Sequence, residues 1–318
     1  MIHLLATGGT IAMQRSAAAG GNLPALDARG LLELAGDLDL AGPIQVEDWE
    51  ALPAVHRGPE RMWALRSRVA ELLDLPGLTG IVVTHGTDTL EETAYLLART
   101  LAAAPPVVVT GAMRTSSDAD WDGPRNLRDA MRVAADRESR GRGCLVVFAG
   151  RILGGGDAVK LDAFAPDAFR SLHSEQLGSV DASGVRFASA RAGRQAPLPA
   201  KDLSARVALI PLALGDDGSL LELARPRFAG VVLEAFGRGN CPPGILPSVR
   251  RWLDDGKPVV LASRCPCGEV GGEYVFEGGG GQLLRLGVLP AGPRIASLAR
   301  LELALCLSAG VPYGGAGS

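Results

Sequence analysis

Residues 81–100 read IVVTHGTDTLEETAYLLART, and this stretch decides the fold. Ile81, Val82, Val83 and Thr84 form a short apolar, mostly β-branched run, the composition of a strand buried on both faces. A glycine turn follows. Beyond it Leu90, Ala94, Leu97 and Leu101 recur at the spacing that lines one face of a helix. Thr87 and Asp88 fall where that helix is expected to start, with Glu91 and Glu92 in its first turn to complement the dipole. Taken alone, they read as ordinary caps.

Working outward, the same grammar recurs at the amino terminus, where an apolar run over residues 2–6 meets Thr7-Gly8-Gly9-Thr10. A third copy is the strand expected over residues 107–110, which leads into Gly111-Ala112-Met113-Arg114. Helices expected over residues 59–73 and 90–103 flank a strand at 80–84, and Pro105 and Pro106 stop the second helix. Strands that alternate with helices pair in parallel. Three successive loops then leave one edge of the sheet, the layout of a doubly wound binding crevice.

The remainder extends this plan. Residues 13–22, MQRSAAAGGN, have no period and read as a mobile loop, of the kind that acts as a lid beside a reactive group. A short helix is expected at 31–34, a strand at 44–46, a helix at 127–137 opened by Asp122-Gly-Pro-Arg-Asn126, and a buried strand at 144–148. Lys160 follows in the glycine-rich GRILGGGDAVKLDAF and by itself reads as a solvated charge; Asp162 and Asp167 read as loop-shaping residues. From residue 188 onward Ala, Arg, Pro and Lys crowd together without period, the signature of a linker. This predicts a first domain over 1–188, a linker over 189–206 and a second domain over 207–318. In the second domain, strands are expected at 207–212, 231–235 and 259–262, and helices at 220–224, 245–254 and 297–307. The fold class is therefore α/β: a larger N-terminal domain with a mainly parallel doubly wound sheet, and a smaller C-terminal α/β domain.

Composition excludes several functions. With 318 residues, 47% of them hydrophobic, the chain has enough apolar material for two cores. A net charge of −3 with both signs interspersed gives no footprint for nucleic acid or a membrane surface. No apolar run reaches the length of a membrane span. The opening MIHLLATGG lacks the basic start and cleavage site of a secretory leader, and five cysteines form an odd set suited to reduced thiols, so a cytoplasmic protein is expected. Cys265-Pro-Cys267 is too tight for a C-x-x-C pair and has no histidine cluster beside it. Gly278 to Gly281 lack the Lys-Ser/Thr and the helix of a phosphate loop. No metal or cofactor is expected.

ATGGTIA (6–12), THGTDTLEET (84–93), VTGAMR (109–114), DGPRNL (122–127) and Lys160 together closely resemble the bacterial L-asparaginase family, in order and over nearly the whole chain. The resemblance implies hydrolysis of a side-chain amide through threonine. Thr10, Thr87, Asp88 and Lys160 take the catalytic positions, and Gly9, Gly86, Asp88, Ala54, Val55 and Ala112 the substrate-binding ones. It also implies a homodimer or homotetramer whose sites are completed between subunits. Arg238, in the Gly237-Arg-Gly-Asn240 loop, and Glu269, Glu273 or Tyr274 are the groups that would reach a neighbouring site. Two departures stand out. The lid lacks the family's tyrosine, Gly21 or Asn22 falling near its place, and Ala54 stands where many relatives have a serine that helps hold the substrate carboxylate, with His56 a possible substitute donor. These departures keep open a related amidase acting on glutamine or a modified amide, and a catalytically weak amide-binding homologue.

Overall fold

The computed structural model describes residues 1–36, 38, 40, 42–188 and 196–314. The chain divides into two compact units, Met1–Pro197 and Leu198–Ser318. The linker expected over 189–206 falls partly outside the described residues, at 189–195.

The first unit runs β1 (Ile2–Ala6), β2 (Met13–Ser16), β3 (Gly21–Pro24), α1 (Ala28–Ala35), β4 (Ile44–Asp48), α2 (Pro59–Leu73), β5 (Gly80–Thr84), α3 (Leu90–Thr100), β6 (Val107–Thr110), α4 (Gly123–Ala135), β7 (Cys144–Phe148), β8 (Arg151–Gly154), β9 (Ala158–Lys160), β10 (Phe169–Ser171), β11 (Gly178–Asp181) and β12 (Gly184–Phe187). Among the described residues its main sheet has eight strands, ordered β12-β11-β8-β7-β6-β5-β1-β4. The five strands from β7 to β4 pair in parallel, and β8, β11 and β12 continue antiparallel.

Side chains alternate across the pleat. Leu4, Val82, Val108 and Val147 pack on one face against Leu31 of α1 and Leu127 and Met131 of α4. Leu5, Val83, Val109 and Val146 pack on the other against Leu65 and Val69 of α2 and Leu90, Ala94 and Leu97 of α3. Burial on both faces is why Val, Ile and Leu dominate these strands.

The second unit runs β13 (Val207–Pro211), α5 (Ser219–Ala224), β14 (Gly230–Ala235), α6 (Leu246–Asp254), β15 (Val259–Ser263), α7 (Gly280–Arg285), β16 (Leu289–Pro290) and α8 (Ala296–Ala309). Among the described residues its four strands are parallel in the order β13-β14-β15-β16. Val231, Leu233, Leu261, Val249 and the fully buried Trp252 form its centre.

Several expectations are corrected. Residues 13–22 are not a featureless loop: β2 and β3 pair as an antiparallel hairpin in which Met13 faces Pro24 and Ser16 faces Gly21. Main-chain pairing asks little of side chains, so small residues concealed it. The helix expected at 31–34 extends over Ala28–Ala35, because the Asp27 carboxylate caps the Gly30 N–H at 2.7 Å. Helix α4 begins at Gly123, four residues early, since Pro124 in the first turn needs no N–H partner. Strands β8 to β12 were not anticipated, and Lys160 ends a strand rather than sitting in open loop. A helix, α7, does follow Gly278 and Gly279, although it is only six residues long.

Candidate active site

Strands β1, β5 and β6 end level: Ala6 pairs with Thr84, and Thr84 with Thr110. Their loops therefore start side by side at the carboxyl edge of the sheet. Hydroxyls fasten the ends. Thr7 Oγ1 donates to the Thr84 carbonyl at 2.7 Å, and Thr110 Oγ1 to the Val147 carbonyl at 2.7 Å. The loop after β4 joins them through the Trp49 N–H, which donates to the Ala6 carbonyl at 2.9 Å. The buried Arg57 guanidinium donates to the Thr7 and Glu50 carbonyls and lies on the Trp49 ring, 5.4 Å from its centroid.

Where these loops meet, only glycine fits. Gly9 has φ near +91°, and a Cβ there would stand 2.4 Å from the Gly86 nitrogen. A Cβ on Gly86 would lie 2.7 Å from the Ala54 methyl, and one on Gly111 2.4 Å from the His85 carbonyl and 3.4 Å from Thr87 Cγ2. The turns bearing Thr10 and Thr87 are thus in backbone contact, with the Ala54 loop and the Gly111-Ala112 loop against them. Thr10 opens a short 3-10 turn, Thr10–Ala12, and is half-buried; Ala112 is fully buried.

The best-defined cluster lies on the second turn. Lys160 Nζ donates to Thr87 Oγ1 at 2.9 Å and to Asp88 Oδ1 at 3.1 Å. Thr87 is 5% exposed, and the lysine side chain 16% against 66% for Asp88. The cluster is therefore closed on the threonine side and open to solvent on the aspartate side. A hydroxyl that accepts from an ammonium is polarised toward alkoxide character, the arrangement a proton relay uses.

His85 braces the same turn from behind. It is fully buried, and burial pushes its pKa down to about 4 in spite of the hydrogen bond to Gly86. The ring is therefore neutral at pH 7. Because a carbonyl only accepts, Nδ1 carries the proton and donates to Gly86 at 2.8 Å; Nε2 is left to accept from the Thr93 hydroxyl at 3.1 Å.

Thr87 and Asp88 do not cap: the N-cap of α3 is Thr89, which makes no side-chain cap bond. Ala54 is buried, whereas Val55 is 62% exposed, and His56 is also exposed. Asn22 and Gly21 lie on the exposed hairpin. In the second unit, Arg238 donates to the Glu269 carbonyl at 2.8 Å and pairs with the Glu273 carboxylate, holding that carboxyl below the ordinary range. Tyr274 lies in the same loop, 45% exposed, with its ring 5.8 Å from that of Phe276. The glycines at 279–281 are packing positions, since a Cβ at each would run into backbone carbonyls at 2.3 to 2.7 Å. Asp162 accepts from the N–H groups of Phe164 and Ala165 at 2.7 Å, as a loop-shaping residue does. Among the described residues no group of three or more His, Cys, Asp or Glu is arranged to hold a metal ion. Among them, too, no helix is long and apolar enough to cross a membrane.

Sequence reasoning gave no site role to Glu91, His85, Asp122 or Asn126. Glu91 Oε2 accepts the Lys160 backbone N–H at 2.7 Å. The Asp122 carboxylate accepts from Met113 N at 3.0 Å and Arg114 N at 2.9 Å. Asn126 donates to the Gly111 carbonyl at 3.0 Å and accepts from Ala149 N at 3.0 Å, where Ala149 adopts φ near +50°. It bridges the loops after β6 and β7. The signal for Glu91 was its spacing, one helical turn beyond Thr87; the others gave none beyond their place in a motif.

Comparison with known proteins gives one answer. Residues 1–192 match the family described as "Asparaginase, N-terminal", and residues 206–313 the "Glutaminase/Asparaginase C-terminal domain". The chain is 37% identical over 315 residues to a probable L-asparaginase of Deinococcus radiodurans, covering 97% of this chain and 93% of that protein. It is 30% identical to a glutaminase-asparaginase of Pseudomonas aeruginosa over 84% of this chain and 76% of that one. The thermostable L-asparaginase of Thermococcus kodakarensis superposes with a TM-score of 0.85 at 30% identity, covering 96% of this chain and 92% of that one.

Proposed function

This chain belongs to the asparaginase family and is an amidohydrolase, and from that premise we propose that it converts L-asparagine to L-aspartate and ammonia through a threonine nucleophile. Thr10 Oγ attacks the side-chain amide carbon and forms a C–O bond as its proton passes to the Thr87, Lys160 and Asp88 cluster. That proton goes to the amide nitrogen, the C–N bond breaks and ammonia leaves. Water then attacks the acyl ester, releasing aspartate and restoring the Thr10 hydroxyl. Backbone N–H groups of the Gly8-Gly9-Thr10 and Gly86-Thr87 turns take the oxyanion, Asp88 also holds the substrate ammonium, and Gly9, Gly86, Ala54, Val55 and Ala112 form the substrate's surroundings.

The observation that carries this reading is the Lys160 amine 2.9 Å from the Thr87 hydroxyl, on a turn in backbone contact with the one that bears Thr10. The test is ammonia release by Thr10→Ala and Thr87→Ala with acyl-enzyme trapping. The proposal expects both variants to lose turnover, and a trapped ester on Thr10 in the wild type. Label on Thr87 alone would exchange the two roles.

A second reading, glutamine or another side-chain amide, is favoured by the buried methyl of Ala54 in place of a hydroxyl and by the glutaminase-asparaginase relative. A panel of L- and D-asparagine, glutamine and substituted amides decides between the two. The assembly, a homodimer or homotetramer with Arg238, Glu269, Glu273 or Tyr274 near a neighbouring site, is a proposal from resemblance that sedimentation tests. All five cysteines are free thiols, which fits a cytoplasmic location.

A further inference from the structure

We infer that Glu91 is a positioning residue for Lys160, holding the root of that side chain while Thr87 and Asp88 hold its tip. This deepens the relay reading above and rests on it. Lys160 is the last residue of the three-residue β9, which among the described residues pairs only with the equally short β10, apart from the main sheet. A ribbon of that size fixes little by itself. A lysine side chain also has four rotatable bonds, so an ammonium on such a support would sweep a wide volume.

What removes that freedom comes from a different element. The Lys160 backbone N–H donates to Glu91 Oε2 at 2.7 Å, a charge-assisted bond about twice as strong as a neutral one. Glu91 is the second residue of α3, four positions beyond Thr87 and three beyond Asp88, so all three acceptors belong to one turn and the segment leading into it. Helix α3 is itself immobilised by Leu90, Ala94 and Leu97, each at most 1% exposed. Both ends of the lysine are therefore referred to the same rigid body. The distance from its Cα to the Thr87 hydroxyl is set by that body, against which Ala158 and Phe169 pack the ribbon and to which Glu91 fastens its last residue. Misplacement of a catalytic group by about 1 Å costs roughly a hundredfold in rate.

The experiment compares ammonia release by Glu91→Ala, Glu91→Gln, Glu91→Asp and Lys160→Ala, with thermal melting as the control for folding. Glu91→Ala is expected to lower kcat by roughly 10- to 100-fold with KM within about twofold. Glu91→Gln keeps an acceptor oxygen at the same reach and is expected to recover most of the rate. Glu91→Asp keeps the charge at the helix start but draws the oxygen back by one methylene, and is expected to lose rate while melting like the wild type. On the residual rate of Lys160→Ala, adding Glu91→Ala has no further effect if it acts through the lysine. Wild-type rates in both Glu91→Ala and Glu91→Asp overturn the inference, as does a Glu91→Gln rate no better than Glu91→Ala, or a full multiplicative loss in the double variant. Full activity in Lys160→Ala sinks the relay reading itself.

Discussion

The two threonine-bearing turns are built from the same pieces yet are held very differently. The Thr87 turn is enclosed: His85 and Thr93 brace it from behind, Gly111 lies against it, and Lys160 closes it from a separate ribbon. The Thr10 turn is tied on its upstream side by Thr7 and Arg57, but downstream it runs directly into a hairpin whose residues 17–24 are all exposed. One half of the site is enclosed by packed elements, and the other adjoins an exposed hairpin that Arg15 and Met13 tie to Ser117 and Ser116. That division suits a reaction in which the relay must be preorganised while substrate still has to enter.

The comparison can be broken or sharpened in order of expected effect. Lys160→Ala strikes the enclosed half and should lower kcat by about 10² to 10⁴ while asparagine binding changes far less, read from ammonia release against substrate concentration. An intact rate would show that the enclosed turn is only scaffolding. Gly9→Ala strikes the contact between the halves. With φ at +91° and the Gly86 nitrogen 2.4 Å from the new Cβ, it should cost roughly 3 kcal/mol or more of stability and most of the activity.

The third test uses pH. His85 has a folded-state pKa depressed from 6.5 to about 4, so its contribution to stability is complete above 6.5 and is lost as pH falls through about 4. That contribution is of order 3 kcal/mol for a fully buried ring. Melting curves should fall in this window for the wild type and fall less for His85→Gln; parallel curves would remove the histidine from the account. The smallest effect belongs to the exposed half. Leu23 is 49% exposed on the hairpin, so Leu23→Ser should shift stability by less than about 0.5 kcal/mol, yet raise KM if the hairpin closes over substrate. An unchanged KM would mean that the hairpin takes no part.

How much of this was legible follows from what a local pattern can encode. The central strands were readable because burial on both faces favours Val, Ile and Leu, and the glycine turns because positive φ at Gly9 and close backbone contact at Gly86 and Gly111 demand glycine. Thr10, Thr87, Asp88 and Lys160 were legible as a set only through family resemblance. By itself Thr87 read as a cap, and nothing local brings a lysine 73 positions away to its hydroxyl. The hairpin at 13–24 and the antiparallel strands β8 to β12 escaped because main-chain pairing on an exposed or two-sided ribbon leaves almost no compositional trace. Glu91 was read as a dipole partner, since a carboxylate at a helix start has that use whether or not a distant N–H also needs it. His85 escaped for the opposite reason: a histidine between a strand and a glycine looks solvent-facing until the packing around it is known.

Asn126 carries a last consequence. Its Nδ2 serves the Gly111 carbonyl and its Oδ1 serves Ala149, so the group that steadies two loops of the site is itself a primary carboxamide, the same functional group as in the substrates proposed above. Slow spontaneous deamidation there would exchange a donor for a carboxylate facing a carbonyl, turning an attraction into a repulsion. Burial and helix geometry guard against that: Asn126 is 1% exposed within α4, where a helical backbone disfavours the cyclic imide through which asparagines deamidate, so the packing that fixes the two loops also preserves the amide that joins them.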